Sequence, residues 1–74
     1  MVFDNSLEKR IKKGLSYIES NNITEAQKLF EEIANDKNSE LIGYLFLGII
    51  QIKIKNFTVA KSFFNKILII EPDN

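Results

Sequence analysis

The side chains of this sequence best suited to acid–base chemistry near neutral pH are carboxylates, because its 74 residues include neither histidine nor cysteine. The chain therefore lacks the commonest general base, the commonest metal ligand and any thiolate. Glu25, Lys28 and Glu32 have the i,i+3 and i,i+4 spacing of a solvated ion-pair stripe on a helix. Glu31 and Glu32 are adjacent, so they point in different directions. The sequence predicts a protein that is not an enzyme and holds no metal or other cofactor.

Basic side chains near the start are the candidates for contact with phosphates, and they are Lys9, Arg10, Lys12 and Lys13. A helix would spread these charges over a wide arc, and Glu8 lies four residues before Lys12, at ion-pair spacing. The formal net charge of the chain is zero, whereas a nucleic-acid binder needs a basic excess. We therefore expect neither a nucleic acid nor a membrane as the partner.

The pattern of apolar residues predicts neither a secretory signal nor a membrane-spanning helix. The opening MVFDNSLEKR has no apolar core after a basic start, as a secretory signal would. The longest apolar run covers residues 41–50, whereas a membrane-spanning helix needs about 20 residues. The sequence thus predicts a cytoplasmic protein in which this run forms a buried helix.

A 34-residue internal repeat organises the chain. Shifting the sequence by 34 residues aligns identical residues at eight of 34 positions. The identical pairs are Leu7/Leu41, Gly14/Gly48, Ile18/Ile52, Asn22/Asn56, Thr24/Thr58, Ala26/Ala60, Phe30/Phe64 and Ile33/Ile67. After a six-residue lead, two units therefore cover residues 7–40 and 41–74 of a single domain, 1–74. Periods of this length are typical of solenoid proteins.

Each unit has the pattern of two helices. Apolar residues of the first unit recur at spacings of three and four, first from Leu7 to Ile18 and then from Ile23 to Ile33. Polar breaks at 20–22 and 35–38 separate these segments, and Pro72 stops the second unit. The pattern predicts an all-α fold of four antiparallel helices.

Glycine occupies the same helical position in both units, at Gly14 and Gly48. Glycine inside a helix costs about 1 kcal/mol relative to alanine, so its repetition predicts a close helix–helix approach. We expect Ala26 and Ala60 to be the small residues opposite, with a phenylalanine filling the space one turn further on.

These residues form a motif that resembles the tetratricopeptide repeat over residues 7–74. The second unit contains Tyr44-x2-Leu47-Gly48, Ala60-x3-Phe64 and Pro72, and the first contains Gly14-x2-Tyr17 and Ala26-x3-Phe30. The sequence departs from the motif at Arg10, Lys13, Asn38 and Gln51. The resemblance implies an α-solenoid of two helix–turn–helix repeats.

The resemblance also implies that the first helix of each repeat lines a concave groove, where a protein or peptide binds. The matching residues here are Ile11, Leu15, Ile18, Ile42, Leu45, Phe46, Ile49 and Ile52. None of them can pair with a carboxylate, so the family's clamp for carboxylate-terminated peptides is rejected. We expect an unusually apolar groove instead.

Two repeats cannot bury all of this apolar surface. Segment 41–54 is apolar nearly all round, which is typical of a buried helix. The last helix is also rich in phenylalanine and isoleucine. Self-association as a homodimer is the favoured explanation. The alternative is a fragment of a longer array whose groove binds an amphipathic helix or apolar peptide of another protein.

Overall fold

A computed structural model describes residues 5–72 as four helices joined by short turns. They are α1 (Asn5–Glu19), α2 (Ile23–Ala34), α3 (Glu40–Lys53) and α4 (Phe57–Ile70). Each helix packs antiparallel against the next along the chain, and these residues contain no strand. The predicted all-α class is confirmed. Most of the predicted lead and the last two positions of the second repeat lie outside the described residues.

The turns inside the two repeats have the same backbone geometry. In the first, Asn21 has a φ of 64°, and the N–H of Asn22 donates to the carbonyl oxygen of Tyr17 at 2.7 Å. In the second, Lys55 has a φ of 66°, and the next N–H donates to the carbonyl five residues back at 2.8 Å. A residue with left-handed backbone, followed by an N–H that donates to the carbonyl five residues back, is a common way to terminate a helix. The 34-residue period of the sequence is therefore also a period of the backbone.

The turn between the repeats is held by two side chains. Ser39 is buried, and its hydroxyl donates to the carbonyl oxygen of Ile33 at 2.8 Å. The N–H of Asn38 donates to Oδ1 of Asp36 at 2.9 Å. The carbonyl of Ile33, near the C-terminus of α2, also accepts a longer bond of 3.3 Å from the N–H of Asp36, so the Ser39 hydroxyl is its second and closer partner. The turn thus ties the end of α2 to the start of α3.

The core lies where α2 is covered by α1 on one side and by α3 on the other. Its buried apolar residues are Ala26, Phe30, Ile33 and Ala34 of α2 with Leu47 and Ile50 of α3. Phe30, Ile33 and Ile50 have no exposed surface. Full burial of side chains of this size contributes roughly 1.5–3 kcal/mol each. Between α3 and α4, the rings of Tyr44 and Phe63 stack with centroids 6.2 Å apart.

The helical glycines mark close approaches, but the group opposite them differs from the prediction. A Cβ added to Gly14 would lie 2.5 Å from the ring of Phe30, and one added to Gly48 would lie 2.7 Å from the ring of Phe64. The phenylalanine thus fills the space at the glycine itself rather than one turn away. Side chains on a helix lean towards its N-terminus, so each ring reaches back over the preceding turn.

A third glycine, Gly43, makes the contact between the repeats. It lies against the backbone of Ala34 so closely that a Cβ would have no room. The small residues Ala34 and Gly43 therefore bring α2 and α3 together. The repeat comparison does not reveal this role, because the equivalent of Gly43 in the first repeat is Lys9.

Candidate partner-binding surfaces

The residues predicted to line a groove divide into two groups, all on α1 or α3. Leu15, Leu45, Ile49 and Ile52 are between 38% and 45% exposed. Ile11, Ile18, Ile42 and Phe46 are half-buried and pack against the core. Only the first group offers substantial area to a partner, and we call these four residues the exposed row.

Phe46 belongs to the packing between the repeats. Its ring stacks on that of Phe30, with centroids 4.8 Å apart and planes inclined by 21°. Stacked aromatic pairs contribute about 0.5–1.5 kcal/mol beyond the area they bury. A polar substitution at Phe46 would therefore disturb the core and any bound partner together. Leu45 and Ile49 test partner binding more cleanly.

The apolar character of α3 has a structural explanation on two of its sides. One side packs against α2 through Leu47 and Ile50, and another packs against α4. The remaining side exposes Leu45, Ile49 and Ile52, and Ile54 follows just after the helix at 46% exposed. The fold thus buries part of this helix and leaves an apolar strip along it.

The largest exposed apolar side chains are on α4. Phe57 is 62% exposed, Leu68 is 56% exposed and Ile69 is 78% exposed, with Val59 and Ile70 also on the surface. No large apolar residue of α2 is exposed to this extent. The difference arises from residue type as well as from cover, because the equivalents of Val59, Leu68 and Ile69 in the first repeat are Glu25, Ala34 and Asn35.

An apolar hollow of about 270 Å³ lies between α3 and α4. It is lined by Leu41, Ile42, Leu45 and Ile67. The equivalents of three of these residues in the first repeat are Leu7, Ile11 and Ile33, all of which belong to the packed core or contact it. Two of these equivalents, Ile33 and Ile11, are more deeply buried than Ile67 and Leu45, which line the hollow.

A second hollow, of about 260 Å³, lies between α1 and α2 and is polar. Its lining is Lys13, Tyr17, Glu25, Lys28, Leu29 and Glu32. The charges in it are partly matched: Lys28 lies 4.0 Å from Glu25, and the ammonium of Lys13 lies 5.9 Å from the centre of the Tyr17 ring. These contacts indicate a solvated helix face with both signs of charge.

The carboxylates are spread over the surface. Glu8 pairs with Lys12 at 3.4 Å, and Glu31 and Glu32 are both exposed. Between residues 5 and 72, no three acidic side chains come together as a metal site would require. Within the same range, no helix has both the length and the apolar character needed to cross a bilayer.

The chain matches no protein-family model, no curated protein and no solved structure. The likeness to tetratricopeptide repeats therefore rests on the motif residues and on the repeated geometry within this chain. Any functional interpretation has to be built from the surfaces described above.

Proposed function

We propose that this protein is a non-catalytic interaction module that self-associates through apolar surface left open by its two repeats. The observation that supports the proposal is the exposure of large apolar side chains on α3 and α4. Contiguous apolar surface on a soluble domain is typical of protein–protein contacts. The absence of cysteine is consistent with the cytoplasm as the place of action.

The energetics favour an association of moderate strength. Removing roughly 400 Å² of apolar surface from water contributes about 10 kcal/mol. Lost translational and rotational freedom costs an estimated 4–15 kcal/mol. The net gain is therefore at most about 6 kcal/mol, so we expect a dissociation constant of roughly tens to hundreds of micromolar rather than a permanent complex.

Sedimentation equilibrium on the intact chain tests this function. We expect the mean mass to rise from one to two chains between about 1 µM and about 1 mM. A mass that stays at one chain throughout would contradict self-association. Repeating the series with a kosmotropic salt such as sulfate should strengthen the association, because apolar contact supplies most of it.

The exposed row supports a second role, which is the binding of an amphipathic helix or apolar peptide. Leu45, Ile49 and Ile52 follow one another along α3 at helical spacing, as in surfaces that receive a partner helix. A longer array of such repeats would extend this row. We propose a protein or peptide as its ligand, and neither a nucleic acid nor a membrane.

Titration with a fluorescent model helix of leucine and lysine tests the second role. We expect saturable binding that Ile49→Asp weakens at least tenfold. Ile69→Asp, which changes an exposed isoleucine on α4, is the matched control. Equal loss in both variants would place the peptide elsewhere, and the absence of saturation would refute the role.

A further inference from the structure

We propose that the dimer interface is the outer face of α4, and that its occupant is α4 of a second copy running antiparallel. The outer face comprises Phe57, Lys61, Phe64, Leu68 and Glu71. The proposed register sets Phe64 opposite the partner's Leu68 and Lys61 opposite the partner's Glu71. This inference rests on the self-association proposed above and names the surface that performs it.

Helical spacing places the first four of these residues together, and Glu71 directly follows the last residue of α4. Steps of four and three residues keep side chains on one stripe of a helix. The equivalent stripe of α2 is covered by α3: Phe30 has no exposed surface there, and Ala34 is 7% exposed. On α4, Phe64 is half-buried and Leu68 is 56% exposed. The outer face is thus the uncovered counterpart of an interface that exists within the chain.

The α1 end of another copy is a poor occupant of this face. The residues of α3 that face α2 are Gly43, Phe46, Leu47 and Ile50. Their equivalents on α1 are Lys9, Lys12, Lys13 and Ser16, and all four are exposed. Packing the three lysines on Phe64 and Leu68 would take more ammonium groups out of water than the single carboxylate of Glu71 could pair, which is costly. Head-to-tail stacking of copies is therefore disfavoured.

A helix resembling α3 also fits this face poorly. Gly43 reaches the backbone of Ala34 because both residues are small. The equivalent of Ala34 on α4 is Leu68, whose side chain would keep such a helix away. Large side chains on both partners interdigitate instead at a wider spacing, and α4 itself presents them.

Charge then selects the antiparallel arrangement. In a pair with its two-fold axis at the level of residue 66, Lys61 lies opposite the partner's Glu71, and symmetry forms this contact twice. A parallel pair would set Lys61 against the partner's Lys61. Within residues 5–72, neither Lys61 nor Glu71 takes part in an ion pair. Both charges are therefore available to fix direction and register.

A charge-reversal series on the intact chain tests the inference by sedimentation equilibrium. We expect Lys61→Glu and Glu71→Lys each to weaken dimerisation at least tenfold, and the double variant to restore it to within about threefold. Lys9→Glu makes the same charge change on α1 and should leave dimerisation unaltered. Leu68→Glu should abolish it, with helix content preserved by circular dichroism because Leu68 is exposed.

Each other outcome has a distinct meaning. A dimer that resists both single reversals and Leu68→Glu overturns the α4 interface but leaves self-association intact. A loss confined to Lys9→Glu would indicate head-to-tail stacking and also overturns it. A wild-type chain that stays monomeric refutes self-association itself, and the outer face would then belong to another helix, such as that of a following repeat.

Discussion

The second helices of the two repeats, α2 and α4, share the Ala-x3-Phe segment but have different surroundings. Phe30 of α2 lies between Gly14 on one side and the ring of Phe46 on the other, with no exposed surface. Phe64 of α4 contacts Gly48 on one side and is half-buried. In a repeat protein each unit depends on the neighbours that cover it. The comparison shows that the contribution of a phenylalanine to stability depends on the helices packed over it as well as on its residue type.

Truncating the two phenylalanines should give the largest difference in stability between a change in α2 and the equivalent change in α4. We expect Phe30→Ala to lower the free energy of unfolding by about 3–5 kcal/mol, because it opens a cavity in a closed core. Phe64→Ala should cost about 1–2 kcal/mol, because the half-buried ring loses less on truncation. Urea unfolding at low protein concentration measures both. Equal costs would mean that α4 is covered as completely as α2.

Alanine at the two helical glycines gives a smaller contrast. At Gly14 the new Cβ would meet the enclosed ring of Phe30, so we expect the free energy of unfolding to fall by about 1–3 kcal/mol. At Gly48 the ring of Phe64 can shift towards the open side. The gain in helix propensity of about 1 kcal/mol should then offset most of the strain. Thermal unfolding of the two variants provides the comparison, and a more damaging change at Gly48 would contradict this difference.

The turn that allows α3 to cover α2 depends on Ser39. Removing its hydroxyl leaves the carbonyl of Ile33 with only the longer bond from the N–H of Asp36, at 3.3 Å, so Ser39→Ala should cost about 1–2 kcal/mol. Ser62→Ala, at an exposed position of α4, is the matched control and should change stability by less than about 0.5 kcal/mol. Indistinguishable denaturation midpoints for the two variants would show that this hydrogen bond does not hold the turn.

Exchanging the left-handed residues of the two turns should have the smallest effect. Asparagine tolerates positive φ better than lysine, so Lys55→Asn should stabilise the protein by about 0.5–1 kcal/mol. The reciprocal change, Asn21→Lys, should destabilise it by a similar amount. The shift in urea midpoint at constant slope is the measurement. Changes of the same sign in both variants would show that side-chain contacts, rather than backbone strain, determine the stability at these two turns.

Much of this architecture could be predicted from the sequence because it repeats. Periodic apolar positions indicate four helices, and paired identities indicate the 34-residue unit. The roles of Gly43 and Ser39 could not be predicted, since each acts between the repeats and neither has an identical residue at the equivalent position. Periodicity also assigns a residue to a helix face without saying how much of it is covered. For that reason the sequence predicts Phe46 as a groove residue, and its contact with Phe30 emerges only from the structure.

The lysines on the outer side of α1 have a consequence for the size of any assembly. A solenoid whose two ends were complementary would add copies without limit and form filaments. Here one end is charged and the other is apolar, so growth by end-to-end addition is blocked at the first contact. Replacing Lys12 and Lys13 by their equivalents in α3, phenylalanine and leucine, would remove that block. These lysines would thus limit end-to-end polymerisation of a protein that exposes apolar side chains at its other end.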